Sequence, residues 1–274
     1  MNRPDREVED GPVDDTTNAA ANAIEEAVRK CTVGIVSGSG PHLWQGIGTG
    51  TLVRWRNQHL ILTAEHVVGE TSPDDLRFFL PNDAPPLTVD RDVLLKIPGV
   101  PTSALRPFSQ LEVGRIDRDR DLDLAAIQVG ESIARRHSAT FFDLTPDGVG
   151  PEEGQTSLVL GFPYDISRTL KNESRVVFTQ VDWWPVEADR SDLRGFDPAI
   201  HFLSKYSFPT TYPGANPRGL SGAARWTRKG QTPGVWHPNM EIIGVTITYY
   251  PNAELLKMVR RDAVIRFLSS INAA

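Results

Sequence analysis

Short apolar runs broken by glycine and proline fill most of the chain. Many such runs with frequent turn residues predict an all-β fold, a sandwich or barrels. Strands are predicted over 31–37, 46–53, 58–64, 76–80, 93–97, 123–129, 156–161, 174–184, 201–208, 222–226 and 241–250. Residues 114–121 read as a charged turn. Gly46, Gly48 and Gly50 fall on alternate positions of one strand. Glycine weakens a strand, so this density predicts bulges or close backbone approach. Residues 19–29 are rich in good helix formers and predict a short helix. A second helix closes the chain at about 262–272, with Asp262 as N-cap and Val264, Ile265, Phe267, Leu268 and Ile271 as its apolar face. Residues 130–154 carry Pro146, Pro151 and several glycines, and divide the strands into two halves. Residues 1–18 hold six carboxylates (Asp5, Glu7, Glu9, Asp10, Asp14, Asp15) and few apolar side chains, the composition of a disordered tail. The folded part is then 19–274.

Composition narrows the function. The 274 residues are 39% hydrophobic and 23% charged, which suits a globular protein with a sizeable core. A net charge of −6 argues against a nucleic-acid partner, which calls for a basic face. Cys31 is the one cysteine, so no internal disulfide forms. It reads as an inert core thiol in a reducing compartment, and the expected location is the cytoplasm. The acidic start has no signal-peptide pattern, and no run of about 18 apolar residues predicts a membrane span. No His-Glu-x-x-His, Cys-x-x-Cys or Walker-type glycine loop occurs, so no cofactor and no metal are expected.

Three stretches carry candidate chemistry. The apolar run 59–62 leads into Thr63-Ala64-Glu65-His66, which sets an imidazole at the rim of a sheet. An unperturbed imidazole titrates near neutrality and can take and return a proton, so His66 is the candidate general base. Asp123 opens the apolar strand 123–129, and strand alternation would set Asp123, Ala125 and Ile127 on one face. A carboxylate there needs a partner, and an imidazole N–H is a good one. Asp121 is the alternative. Ser221 lies in Gly219-Leu220-Ser221-Gly222-Ala223, where glycines permit a tight turn. Gly-x-Ser-Gly by itself is a common turn. Beside a histidine and an aspartate, Ser221 becomes the candidate nucleophile. The backbone N–H groups of Gly219 and Ser221 are the candidate oxyanion hole. The chain order His, Asp, Ser separates this set from subtilisin and from the α/β-hydrolases.

Together these stretches resemble the chymotrypsin-like (trypsin-like) serine proteases, including HtrA-type and other bacterial single-domain members. Gly48-Thr49-Gly50-Thr51-Leu52-Val53 looks like the strand before the family's histidine, and Leu62-Thr63-Ala64-Glu65-His66 like its Leu-Thr-Ala-Ala-His block. Asp121-Leu122-Asp123-Leu124-Ala125 is similar to the Asp-Leu-Ala block, and Gly161-Phe162-Pro163 to the Gly-x-Pro that opens the second barrel. Gly219-Leu220-Ser221-Gly222-Ala223 resembles Gly-Asp-Ser-Gly-Gly. The resemblance implies two six-stranded antiparallel β-barrels, at about 31–135 and 155–255, with the cleft between them. It also implies a Ser221–His66–Asp123 triad and a protein or peptide substrate.

Leu220 stands where many relatives carry an aspartate that pairs with a newly cut N-terminus. N-terminal cleavage is therefore not expected to be needed. Residues 211–217 are expected to line the specificity pocket together with Thr246 and Thr248; no acid lies there, and Ala215 is a wall candidate. A small or apolar substrate side chain is expected rather than Arg or Lys. The expected function is a serine endopeptidase. The alternatives are a protease-fold binding module, inactive or switched on by a protein partner, and an esterase.

Overall fold

The computed structural model describes residues 23–24, 26–37, 45–69, 71–72, 75–79, 113–131, 135, 141–147, 157–162, 168–170, 175–177, 181–183, 186–187, 193–206, 217–228 and 240–271. The acidic tail, the strand expected at 93–97 and Ala215 lie outside them.

The first sheet is built from β1 (Thr32–Ser37), β2 (Gln45–Trp55), β3 (Gln58–Ala64), β4 (Leu76–Phe79), β5 (Val113–Asp119), β6 (Leu124–Val129) and β7 (Phe142–Asp143). Its spatial order is β4-β1-β2-β3-β6-β5, with β7 joined to β2 in parallel. The strands β8 (Ser157–Gly161), β9 (Arg168–Leu170) and β10 (Arg175–Val177) follow, and among the described residues β9 pairs only with β10. The second sheet adds β11 (Val181–Trp183), β12 (Val186–Glu187), β13 (His201–Lys205), β14 (Ala224–Arg228), β15 (Met240–Tyr250) and β16 (Leu255–Arg260) in the order β11-β8-β14-β15-β16-β13-β12. The fold is thus mostly antiparallel β. Among the described residues each sheet has seven strands, and the described pairings run as open paths with no closed barrel.

Alternation explains how the second sheet serves two cores. Leu158, Leu160 and Ile242 pack into a large cluster with the first sheet and the C-terminal helix, Arg261–Ile271. Val159 and Ile243, one position along, face a second cluster with Phe202, Tyr206, Leu220 and Met258. Such a strand is apolar on both sides and loses its period-two signature. That is why β16 escapes the sequence pattern: Leu255, Leu256, Met258 and Val259 are all buried.

Other departures are local. The charged segment 114–121 is largely strand, since β5 covers Val113–Asp119. β5 is an edge, where charge blunts unwanted pairing, and Arg115 pairs with Asp117 at 2.6 Å. The break expected over 130–154 contains β7, tied to β2 through Val53↔Phe142 and by the Arg54–Asp143 ion pair. The run 174–184 is divided between β10 and β11. Asp262 is not the N-cap of the closing helix but lies in its first turn, where an acid suits the helix dipole, and bonds Arg266 at 2.9 Å. Ala263 joins Val264, Phe267, Leu268 and Ile271 on the buried face, while Ile265 is only partly covered. The first helix is described at 23–24 and 26–31, and Ile24 and Val28 are buried in the large core. Cys31 ends that helix, and burial pushes its thiol up to about 12, as an inert core cysteine requires.

His201 is 4% exposed and its Nδ1 accepts from the Asp197 N–H at 3.1 Å. Burial, helped by Lys257 and Arg260 against Asp197, lowers its pKa to about 4. The unfolded chain therefore binds more protons than the folded one between the ordinary imidazole value and that point. Stability is full above about pH 6.5 and falls as pH drops toward 4, by up to about 1.4 kcal/mol per unit. An asparagine side chain at this place would offer an Oδ1 acceptor where Nδ1 stands, without titrating. Chemical denaturation across this range should show a shallower slope for His201→Asn than for the parent.

Candidate active site

The register of β3 against β6 brings the first two candidates together. Ala64 lies opposite Leu124, so the residues just beyond them, Glu65-His66 and Asp123, become neighbours. The Glu65 N–H donates to the Asp123 carbonyl at 3.0 Å, and the His66 N–H to Asp123 Oδ1 at 3.0 Å. His66 Nδ1 stands 2.8 Å from Oδ2 and 3.0 Å from Oδ1 of the same carboxylate. A carboxylate only accepts, so Nδ1 carries the proton and Nε2 is left as the basic nitrogen.

The structure corrects the local geometry of Asp123. It does not begin the strand, which starts at Leu124, but closes the preceding turn with φ 55°. Its side chain reaches His66 through that left-handed turn rather than by strand alternation. Asp121, the alternative, is exposed in the same turn, and its N–H caps Asp119 Oδ1 at 3.0 Å.

Ser221 sits in a loop with little freedom. Gly219 and Gly222 take φ of 100° and 90°, values that L side chains rarely adopt. A Cβ on Gly222 would lie 1.9 Å from the Thr49 carbonyl oxygen and 2.2 Å from Thr63 Oγ1. The Ser221 carbonyl accepts from the Thr49 N–H at 2.9 Å, and the Gly222 N–H donates to Thr246 O at 2.8 Å. Gly48 serves the same close approach: a Cβ there would meet Val67 at 2.6 Å and Ser221 O at 3.1 Å. The glycine-rich strand thus combines close approach with a bulge, the latter marked by the register shift opposite Ile35/Val36.

The loop also sorts its amides. The N–H groups of Leu220, Gly222 and Ala223 bond to Pro217, Thr246 and Leu220 carbonyls. Among the described residues, those of Gly219 and Ser221 bond to nothing. A trans peptide points its C=O and N–H in opposite directions. The Leu220 carbonyl is held inward by Ala223, so the Ser221 N–H points the other way. Two spare donors next to a serine hydroxyl can receive a negative oxygen.

His66 and Ser221 line one cavity of about 450 Å³ with Thr246, Ile247, Thr248, Tyr249, Pro251 and Leu256. Thr246 and Thr248, the expected pocket candidates, line this cavity. Of the stretch 211–217, Pro217 is described, and it lines the cavity. A register shift between Thr246 and Thr248 lets consecutive β15 residues share the wall. Pro251 and Leu256 escape the sequence reading because β16 and the turn before it do, whereas Tyr249 lies in the strand expected at 241–250. Among the described residues, no acid lines the cavity. Among the described residues, no three His, Cys, Asp or Glu side chains gather as a metal ion would need, no helix is long and apolar enough to cross a membrane, and no hydrogen bond joins His66 to Ser221.

The Gly222→Ala change should destabilise the fold by about 2–4 kcal/mol, from backbone strain and overpacking. A thermal melt within a degree or two of the parent would contradict the tight seating of this loop.

No protein-family model matches the chain, and no curated protein matches it. Among solved structures, the fold is similar to that of the Rv3671c protease from M. tuberculosis in its active form, with a TM-score of 0.50 at 16% identity, over 92% of this chain and 85% of the other. At that identity the likeness speaks for the fold, a protease fold, alone.

Proposed function

We propose that this protein is a serine endopeptidase. The observation that carries the reading is a carboxylate-bound imidazole and a serine on the walls of one cavity, with two spare amide donors in the serine's loop. Ser221 Oγ attacks the substrate carbonyl while His66 Nε2 takes its proton. Asp123 holds the imidazole in the tautomer that leaves Nε2 basic and stabilises the imidazolium. The Gly219 and Ser221 N–H groups receive the oxyanion. Collapse returns the proton from His66 to the leaving amine, and a water then repeats the sequence to release the acyl group from Ser221. The two sheets correspond in this reading to the two barrels of the chymotrypsin-like architecture, with the site at their seam.

The cavity wall favours a small or apolar side chain on the acyl side of the cut bond. Ile247, Pro251 and Leu256 offer apolar surface, and among the described residues no acid on the wall offsets the charge of an arginine or lysine.

A second reading, a protease-fold module that is inactive alone or switched on by a protein partner, is favoured by one observation. The imidazole and the serine hydroxyl are not hydrogen-bonded. Catalytic hydrogen bonds often tighten only when substrate binds, so the first reading keeps precedence.

A fluorophosphonate probe should label the intact chain, and Ser221→Ala should abolish the label. An unlabelled, folded parent chain sinks the first reading in favour of the second. With peptide substrates, Asp123→Asn should lower kcat by on the order of 10³–10⁴-fold through the wrong imidazole tautomer. Peptides with Ala, Val or Leu before the cut bond should exceed their Arg counterparts in kcat/KM by roughly 100-fold. Equal turnover of the Arg peptide would refute the pocket assignment.

A further inference from the structure

Thr49 holds the loop that carries Ser221 from below. It is fully buried. Its backbone N–H donates to Ser221 O at 2.9 Å, and its hydroxyl donates to Gly219 O at 2.7 Å, 170 residues away in sequence. The same hydroxyl accepts the Phe162 N–H at 3.0 Å. Its own carbonyl accepts Thr63 Oγ1 at 2.7 Å. With the acceptor side occupied by Phe162, the hydroxyl proton is aimed at Gly219.

The anchor matters because the loop has little else to hold this peptide. Gly219, at φ 100°, has no side chain to resist rotation. Rotation about it is the motion that would re-aim its spare N–H. The hydroxyl of Thr49 fixes the Gly219 carbonyl on one side of that rotation, and the Leu220 N–H, bonded to Pro217 O at 2.9 Å, fixes the same peptide. Leu220 is fully buried, where the resembling proteases carry an acid for a cut N-terminus. Its Cδ2 presses so close to Gly161 that a Cβ there would be 2.7 Å away, and Thr49 Oγ1 would be 2.9 Å from it.

We propose that Thr49 is a positioning residue that keeps the Gly219 and Ser221 donors in place, so that the site is assembled in the intact chain without N-terminal cleavage. The proposal rests on the serine-hydrolase reading for its effect on rate, but the loop anchoring stands apart from it.

Thr49→Val removes the hydroxyl and keeps the shape. On the full-length chain, checked by mass to be uncut, it should lower kcat about 10–100-fold and leave KM within about threefold, since donors for the oxyanion act chiefly in the transition state. Thr49→Ser should stay within about threefold of the parent in both. Hydrogen exchange read by mass spectrometry should show faster exchange over 217–223 in Thr49→Val and parental exchange in Thr49→Ser. Should the Val variant not fold, Thr49→Ala carries the same expectations. Parental kcat and parental exchange in the folded Val or Ala variant overturn the proposal. So does a Ser variant as impaired as Val. If the parent has no activity, the hydrolase reading falls, and the exchange data alone then decide whether Thr49 anchors the loop.

Discussion

The structure depends on one contact without clearance: the loop at Ser221 lies directly on the backbone of β2. At Gly222 even a methyl group would overlap the Thr49 carbonyl. Every other feature of the seam follows from that approach. Gly48 must be bare to admit the loop beside Val67, and Gly161 must be bare to admit Leu220 and Thr49. The hydrogen bonds across the gap, from Thr49 to Ser221 and Gly219 and from Ala224 to Thr51 Oγ1, replace water that cannot enter. Two sheets joined in this way cannot slide without breaking buried polar pairs.

The same economy of space governs the other wall of the cavity. His66 and Asp123 are held by three contacts of Asp123: its carbonyl to Glu65, its carboxylate to the His66 amide, and that carboxylate again to the imidazole. The side chains remain accessible, 49% for His66 and 26% for Asp123. A held backbone with an open imidazole face fits the proton-carrying role proposed for His66. The supporting strands, β3 and β6, pack into the core that the two sheets share.

Much of this was legible along the chain. The boundaries of β3 match its apolar run, because one continuous buried strand ends where small residues meet His66. The glycines of β2 announced close approach. The Leu220 substitution announced that no acid would order the serine loop. The charged residues of β5 misled, because charge marks an edge strand as readily as a turn, and β16 was silent, because burial on both faces erases alternation. Strand alternation points to Asp123 by a different geometry from the real one: a left-handed turn, not a strand face, delivers its carboxylate to His66.

The sequence by itself determined the local features: an all-β chain, a buried strand running to a histidine, a glycine-lined serine turn and an amphipathic closing helix. These are periodic or compositional, and each is complete within a few residues. Tertiary structure alone decided which carboxylate meets His66, which amides of the serine loop stay spare, what fills the cavity wall and that a threonine hydroxyl anchors Gly219. Those outcomes join residues 57 and 170 positions apart. They depend on strand register and sheet packing, which no local pattern encodes.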